Sequence, residues 1–467
     1  MTIDRRRVLT VGAGLGGLPL ALAGASTASA GPRAFALAQA GPQPAQGPSS
    51  VAEANAREFA LLPSSPDEQT AALQKAIDAA AERRQTLALP AGNFLARGLV
   101  LRPGSRIAGA GVATRLVLSD GGGTLLSAEN AAGICLEDLA LDGAMRPAGQ
   151  DALAAFKTCT RLRLTRLEVT GAAGSGIALD ACSGEVTANR IATVGTTAIF
   201  SMDGAGLRIT DNEIDGAGNN GIQIWRRAQG EDGTLVSGNR IMRVFAHSGG
   251  TGENGNGINL FRAGGVIVEG NRITDCAYSA VRANAASNVQ MVANSALRIA
   301  EVALYAEFGF EGALIASNLV DDAASGISVT NFDVGGRLAV VQGNLIRNLK
   351  RREYEPVDKR GDGIAVEADA AVTGNVVEGA ANAGLLIGWG PHMRDVTATG
   401  NLIRGCRYGI LVSADVGAGA CFVSANMISR CPDGAIRGMD RGKPIGPDLA
   451  RETTATARVT ISGNMAV

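Results

Sequence analysis

The sequence predicts an all-β chain wound as a parallel β-helix, with one short α-helix at its N-terminal end, and three observations carry that reading. First, an asparagine recurs at Asn189, Asn212, Asn239, Asn271, Asn294, Asn318, Asn344, Asn375, Asn401, Asn426 and Asn464, 23 to 38 residues apart, usually with an aliphatic residue three places before and Ile or Val two places after. Second, eight or nine residues after most of these asparagines a Gly or Ala opens a short alternating segment, and the same segment recurs in GIQI at 221–224, GINL at 257–260, GISV at 326–329 and GILV at 409–412. Third, Gly accounts for 63 of 467 residues and aromatics for only 4%, a balance that suits many corners around a slim interior. Units of about 25 residues with several period-two strands leave no room for crossover helices, which excludes the α/β sheets. Stacked coils remain, each strand pairing with its equivalents about 4.8 Å above and below. Asn tolerates the left-handed backbone a tight corner needs, and its amide can bond the Asn of the next coil, so the eleven asparagines are expected to form a ladder.

Residues 1–30 read as a twin-arginine signal peptide: Arg5 and Arg6 are followed by Val8 and Leu9, a Gly-rich apolar stretch and Ala28-Ser29-Ala30. A second small-x-small site at Ala38-Gln39-Ala40 leaves the cut open between Ala30 and Ala40. Such a leader predicts a periplasmic or secreted protein whose partner during export is the twin-arginine translocase. Gly12, Gly14 and Gly17 also satisfy GxGxxG, but they follow a basic start instead of a strand, so no nucleotide site is expected. Residues 31–60, rich in Ala, Gly, Pro and Gln, read as a flexible linker. Residues 61–86 should hold the capping helix, with Ser65 and Glu68 as a capping box, Pro66 in the first helical position, and Leu73, Ala76, Ile77 and Ala80 as one apolar stripe. A β-helix leaves an open hydrophobic end that such a helix covers. Residues 87–467 are the repeat domain.

The net charge is −1, and −3 without residues 1–30, so no nucleic-acid partner is expected. The seven cysteines read mostly as core thiols. Cys406 and Cys431 stand apart, since both lie five residues after their asparagine in successive coils, a spacing that permits a late disulfide.

The helix DEQTAALQKAIDAA followed by LALPAGNF and IAGAG resembles the entry segment of the pectin-lyase-like right-handed parallel β-helix superfamily, and the Asn-turn coils resemble its repeats. With the paired-arginine leader, the whole chain is similar to twin-arginine-translocated repeat proteins of bacteria. The resemblance spans nearly everything after residue 60. It implies a single-stranded right-handed parallel β-helix, in a superfamily that holds polysaccharide lyases, glycoside hydrolases, epimerases and non-catalytic members.

The resemblance further implies that the strand after the Gly lines a substrate groove. Register alone then gives its outward residues. In the middle coils these are Gln223, Asn259, Arg282 and Tyr305, beside Trp225, Phe261, Asn284 and Glu307, with Arg226 and Arg262 at the rim. Aromatic faces for stacking, next to amides and guanidinium groups, suit an acidic polysaccharide. The terminal coils carry plainer outward residues, such as Ala178 and Leu411. Insertions at 243–256, with His247, and at 347–360 bracket the polar coils. Lyases of the superfamily need a cation that drains charge from a uronate carboxylate and a base within reach. Arg282 and Tyr305 are the candidates, with Glu307 as an acid or a Ca²⁺ ligand; the metal itself is not identified. Inverting hydrolysis requires two carboxylates about 6.5–9.5 Å apart, and Glu307 with Glu367, two coils apart, falls at the margin. No Asp-Pro-His-Glu epimerase motif occurs. The alternative is a non-catalytic cell-envelope glycan-binding or scaffold protein.

Overall fold

In a computed structural model the described residues are 53–147, 152–250, 252–351, 361–450 and 458–467. The leader and most of the linker lie outside them. The described chain is a right-handed parallel β-solenoid built from three strands per coil. Strands that end just before each ladder asparagine, such as Leu235–Ser237, stack into one 16-stranded sheet. Those that follow it, such as Arg240–Val244, and those after the Gly, such as Asn256–Gly264, share a second sheet of 28 strands. The sharing arises because some strands, such as Ser295–Glu307, run unbroken around the bend. The strand pairs are parallel except at the C-terminal hairpin of Ile436–Asp440 with Lys443–Asp448.

The eleven asparagines stand in one continuous ladder. Each Nδ2 donates to the Oδ1 of the next, from Asn189→Asn212 at 2.9 Å through Asn294→Asn318 at 3.1 Å to Asn426→Asn464 at 2.9 Å. That same Oδ1 also accepts the backbone N–H of the asparagine before it. The second Nδ2 proton goes to a carbonyl of the preceding coil, as Asn239 to Ile209 at 2.9 Å. A buried amide is thereby satisfied on both sides, coil after coil.

The left-handed residue of the corner is not the asparagine. It is the residue before it: Ala188, Asp211, Gly238, Gly270, Ala293, Ser317, Gly343, Gly374, Gly400, Ala425 and Gly463 all have φ between 55° and 67°. That placement frees the Asn side chain to turn inward, and it explains why Gly-Asn-Arg-Ile is written twice, at 238–241 and 270–273. The Gly of the other register has a different cause. At Gly257 a Cβ would sit 2.5 Å from Ile273 Cγ2 and 2.8 Å from the Ala280 carbonyl, because the backbone there packs against the next coil.

The interior is filled by the predicted aliphatic positions, among them Val186, Ile209, Val236, Val268 and Met291, all essentially inaccessible. The helix spans Thr70–Glu82 and buries Leu73, Ala76, Ile77 and Ala80 as expected. Its Gln74 side chain donates to the Val100 carbonyl at 2.8 Å and accepts the Val100 N–H at 2.9 Å, tying the helix to a strand edge.

Two expectations at this end are corrected. The helix starts after Gln69, and Ser65 with Glu68 forms no capping box. Instead the Gln69 N–H pairs with the Leu95 carbonyl at 2.7 Å and Glu68 bridges to Leu95, so the segment is held against a strand before it can turn. Residues 53–55, expected within the linker, form a strand in register with Thr86–Ala88 and so begin the 16-stranded sheet.

Candidate functional site

The outward face of the post-Gly strands follows the predicted register. Gln223 pairs with Asn259, Asn259 with Arg282 and Arg282 with Tyr305, while Trp225 pairs with Phe261, Phe261 with Asn284 and Asn284 with Glu307. The residues thus come together on adjacent coils, but they spend their polar groups on one another. Thr197 donates to Gln223 at 2.5 Å, and the Trp225 indole N–H donates to Asn259 Oδ1 at 2.8 Å. Arg282 Nε donates to Glu307 at 2.6 Å, its Nη1 lies 3.4 Å from Glu301, and Asn284 donates to the same Glu307 oxygen at 3.2 Å. The Arg282 and Glu307 side chains are only 10% and 3% exposed.

The first insertion explains this burial. The Tyr278 hydroxyl donates to the Gly250 carbonyl, Asn220 donates to the Glu253 carbonyl, and Gly252 lies so close to the Arg282 guanidinium that any side chain there would collide with it. The loop therefore lies over Arg282 and its immediate neighbours. His247 is part of this cover and stacks on Phe245 with ring centroids 5.2 Å apart. The second insertion lies largely outside the described residues.

Charge follows from the geometry. Burial lowers the Arg282 pKa, but Glu307 and Glu301 outweigh it and hold the guanidinium above its ordinary range. Burial, reinforced by Glu307, pushes the Tyr305 hydroxyl well above the usual phenol value, while the Arg282 guanidinium sits 5.1 Å from its ring. A phenol so raised makes a poor base at neutral pH.

Arg226 and Arg262 are likewise engaged. Arg226 donates to the Gly204 carbonyl at 3.3 Å and approaches Asp232, whereas Arg262 donates to the Arg227 carbonyl at 2.8 Å and lies over the Phe261 ring. Trp225 stands edge-on between Phe200 and Phe261, with centroids 5.8 and 5.6 Å away.

The open part of the face lies in earlier coils. A cleft of about 460 Å³ runs over Ala155 and Ala178, walled by Phe200 and Met202, with Lys157, Glu129, Asp180 and Arg227 around it. Small side chains at consecutive first outward positions leave the hollow, and Phe200 in the next coil closes one end. Lys157 pairs with Glu129 at 2.9 Å, and Arg227 joins Asp180 and Asp203 at 2.9 and 2.5 Å. Burial raises the Asp203 carboxyl, but the backbone N–H and guanidinium of Arg227 outweigh it and bring the net value below the usual range.

Ala178 signalled a plain terminal coil in the sequence, and it is the floor of the cleft. Arg227 escaped register counting because the pairing shifts between Trp225 and Gly230, looping the intervening residues outward. Glu301 escaped because the register shifts between Ile299 and Val302. At the other end, Leu411 is fully buried beneath Ala383, Leu386, Tyr408 and Met439, with Trp389 packed on them, so that stretch of the face is a second small core.

Cys406 and Cys431 carry free thiols that meet across successive coils. The Cys406 and Cys431 thiols donate to the Arg404 and Ser429 carbonyls, each at 3.5 Å, and the nearness of the two thiols raises the former's pKa and lowers the latter's.

Residues 227–403 match the family described as "Right handed beta helix region", and residues 121–306 match one described as "Periplasmic copper-binding protein (NosD)". No curated protein matches the sequence. Among solved structures, the A-module of a mannuronan C-5 epimerase from Azotobacter vinelandii is similar at 15% identity, over 88% of this chain and 99% of that one, with a TM-score of 0.42. The catalytic unit of an α-1,3-glucanase from Streptomyces thermodiastaticus is similar at 13% identity, over 91% and 70%, with a TM-score of 0.45. Tailspike protein 2 from a bacteriophage of Escherichia coli is similar at 13% identity, over 70% and 43%, with a TM-score of 0.44.

Copper bound by a protein takes imidazole, thiolate or thioether donors. The sequence has two histidines; His247 stacks on Phe245, and His392 stands edge-on to Phe332 in another coil. Among the described residues no group of three or more His, Cys, Asp or Glu side chains is placed to hold a metal ion. The described residues therefore offer no His, Cys, Asp or Glu cluster of the kind a copper centre takes, and Glu307 is taken up by Arg282 and Asn284. What residues 227–403 share with the first of these families is the right-handed β-helix.

Proposed function

We propose that the protein is exported through the twin-arginine pathway and binds a polysaccharide of the cell envelope along the outward face of its post-Gly strands, without cleaving it. The observation that carries this reading is the cleft over Ala155 and Ala178, an apolar floor ended by Phe200 and continued by the Trp225 and Phe261 rings. Sugar rings offer apolar faces to such walls and hydroxyls to the paired charges at the mouth. Carboxylates pair with Lys157, Arg227 and Arg282 and one stands 3.9 Å from Arg226, while Arg262 is held by a carbonyl and a ring. Recognition then rests on stacking and hydroxyl contacts more than on capture of uronate charge. Export rests on the Arg5-Arg6 leader.

A second reading keeps the enzyme class. Arg282, Tyr305 and Glu307 stack in adjacent coils, so a polysaccharide lyase acting on an acidic glycan would need only the 243–256 loop to lift and Arg282 to exchange Glu307 for a substrate carboxylate. One experiment separates the two. Purified protein is screened against neutral and uronate-containing glycans, reading affinity, unsaturated ends and reducing ends together. Binding without either product supports the first reading, unsaturated ends support the second, and reducing ends alone mean a hydrolase.

A further inference from the structure

The first outward residue after each ladder asparagine changes character along the solenoid. In earlier coils it is charged or polar, as at Arg240, Arg272 and Ser295. From Asn318 onward it is Leu319, Leu345, Val376, Leu402, Met427 and Met465, each in register with the next. Four of the six are 40–59% exposed. At one strand spacing per coil the stripe is about 24 Å long, and a continuous exposed apolar stripe marks an interaction surface.

Beside it, two residues along the same strands, runs a row of alternating sign: Asp321, Arg347, Glu378 and Arg404. Within the chain Arg347 bonds Asp321 at 2.7 Å, and Arg404 lies 3.6 Å from Glu378. This order is self-complementary when reversed.

We infer that the stripe is the contact between two copies of this chain, packed face to face and antiparallel, with the two-fold axis along the strands between the Leu345 and Val376 coils. Leu345 then faces Val376 and Leu319 faces Leu402, while Arg347 meets Glu378 and Asp321 meets Arg404 of the second copy. Sliding the axis onto the Val376 coil sets Glu378 against Glu378 and Arg347 against Arg404, so the charges fix the register. A two-fold contact of this kind is closed and does not propagate. The stripe offers less than the roughly 800 Å² per partner of a standard stable interface, so the pair is reversible and forms as concentration rises.

The test is sedimentation equilibrium of the full chain over a concentration series. Wild type should pass from monomer to dimer, and Leu345→Asp, a change at an exposed position, should stay monomeric with its melting temperature held. Arg347→Glu and Glu378→Arg should each weaken the dimer at least tenfold, and the double exchange should restore it. A monomer throughout, a dimer indifferent to Leu345→Asp, or a double exchange as weak as the single ones would overturn the inference. A monomeric chain that binds lipid vesicles through Leu345 would overturn it too, assigning the stripe to a membrane surface.

Discussion

Asn239 gives its side-chain amide to Asn271 Oδ1 at 2.9 Å, and the backbone N–H of Asn239 ends on that same oxygen at 2.9 Å. One oxygen thus serves two buried donors, and the pattern repeats at each step of the ladder. Asn271→Ala removes that acceptor, and each donor left without one costs about 1–3 kcal/mol. Thermal or urea unfolding should show a clear loss for Asn271→Ala, while Arg272→Ala, exposed at the next position, should change stability by less than about 0.5 kcal/mol. Equal melting of the two variants would mean that the ladder adds little.

The two kinds of glycine should answer differently to alanine. Gly270 has φ 62° and open space where a Cβ would stand, so Gly270→Ala costs the left-handed penalty alone, about 1–2 kcal/mol. Other coils already tolerate Ala188, Ala293 and Ala425 at this position. Gly257 has no left-handed φ, yet its Cβ would run into the Ala280 carbonyl and Ile273. Gly257→Ala should therefore cost more, with the excess measured as a lower denaturation midpoint.

The coil period, the ladder and the outward register were legible because each depends on a residue type recurring at a fixed step. The seat of the left-handed backbone was not, since Ala188, Asp211 and Ser317 fill it as readily as Gly238 does and leave no consistent residue type. Helix onset was misplaced because Ser65 and Glu68 fit a local capping rule, whereas a tertiary pairing of Gln69 with Leu95 decides the matter. The face was legible as positions but not as partnerships: nothing in sequence spacing tells that Gly252 lies over Arg282, or that register shifts after Trp225 and Ile299 bring Arg227 and Glu301 into play.

Arg282 and Glu307 form a buried ion pair beneath the first insertion. Removing Glu307 leaves the buried Arg282 with only the longer contact to Glu301 at 3.4 Å, and breaking a buried pair typically costs up to about 3–5 kcal/mol. Glu307→Ala should accordingly lower the melting temperature more than Glu269→Ala, an exposed carboxylate on the 16-stranded sheet. A Glu307→Ala protein as stable as wild type would return Arg282 to the pool of groups free for substrate.

Asp369 is gripped by Arg394 through two bonds of 2.8 and 2.6 Å, with Arg337 at 3.3 Å. The Arg394 hydrogen bonds hold its carboxyl below the usual range, against a smaller opposing effect of burial. A depressed folded-state value stabilises the protein above the unfolded carboxyl pKa of about 3.9, and that contribution disappears as pH falls through the lower folded value. Melting curves between pH 6 and pH 2, bounds chosen around that value, should show Asp369→Asn less stable than wild type at the upper end, with the gap closing at the lower end. A gap that stays constant across the series would assign the loss to packing.

The central claim is that a sugar chain lies in the cleft over Ala178 and against Phe200. The direct measurement is calorimetric titration of the best glycan from the screen into wild type, Ala178→Leu, Phe200→Ala and Arg272→Ala, with melting temperatures taken alongside. Ala178→Leu fills the floor of the cleft and Phe200→Ala removes its wall. Each should weaken binding by about 1–3 kcal/mol, by analogy with aromatic stacking platforms, while Arg272→Ala, on another face, binds as wild type does. Equal affinity in all four folded proteins would contradict the account and take the binding site off this face.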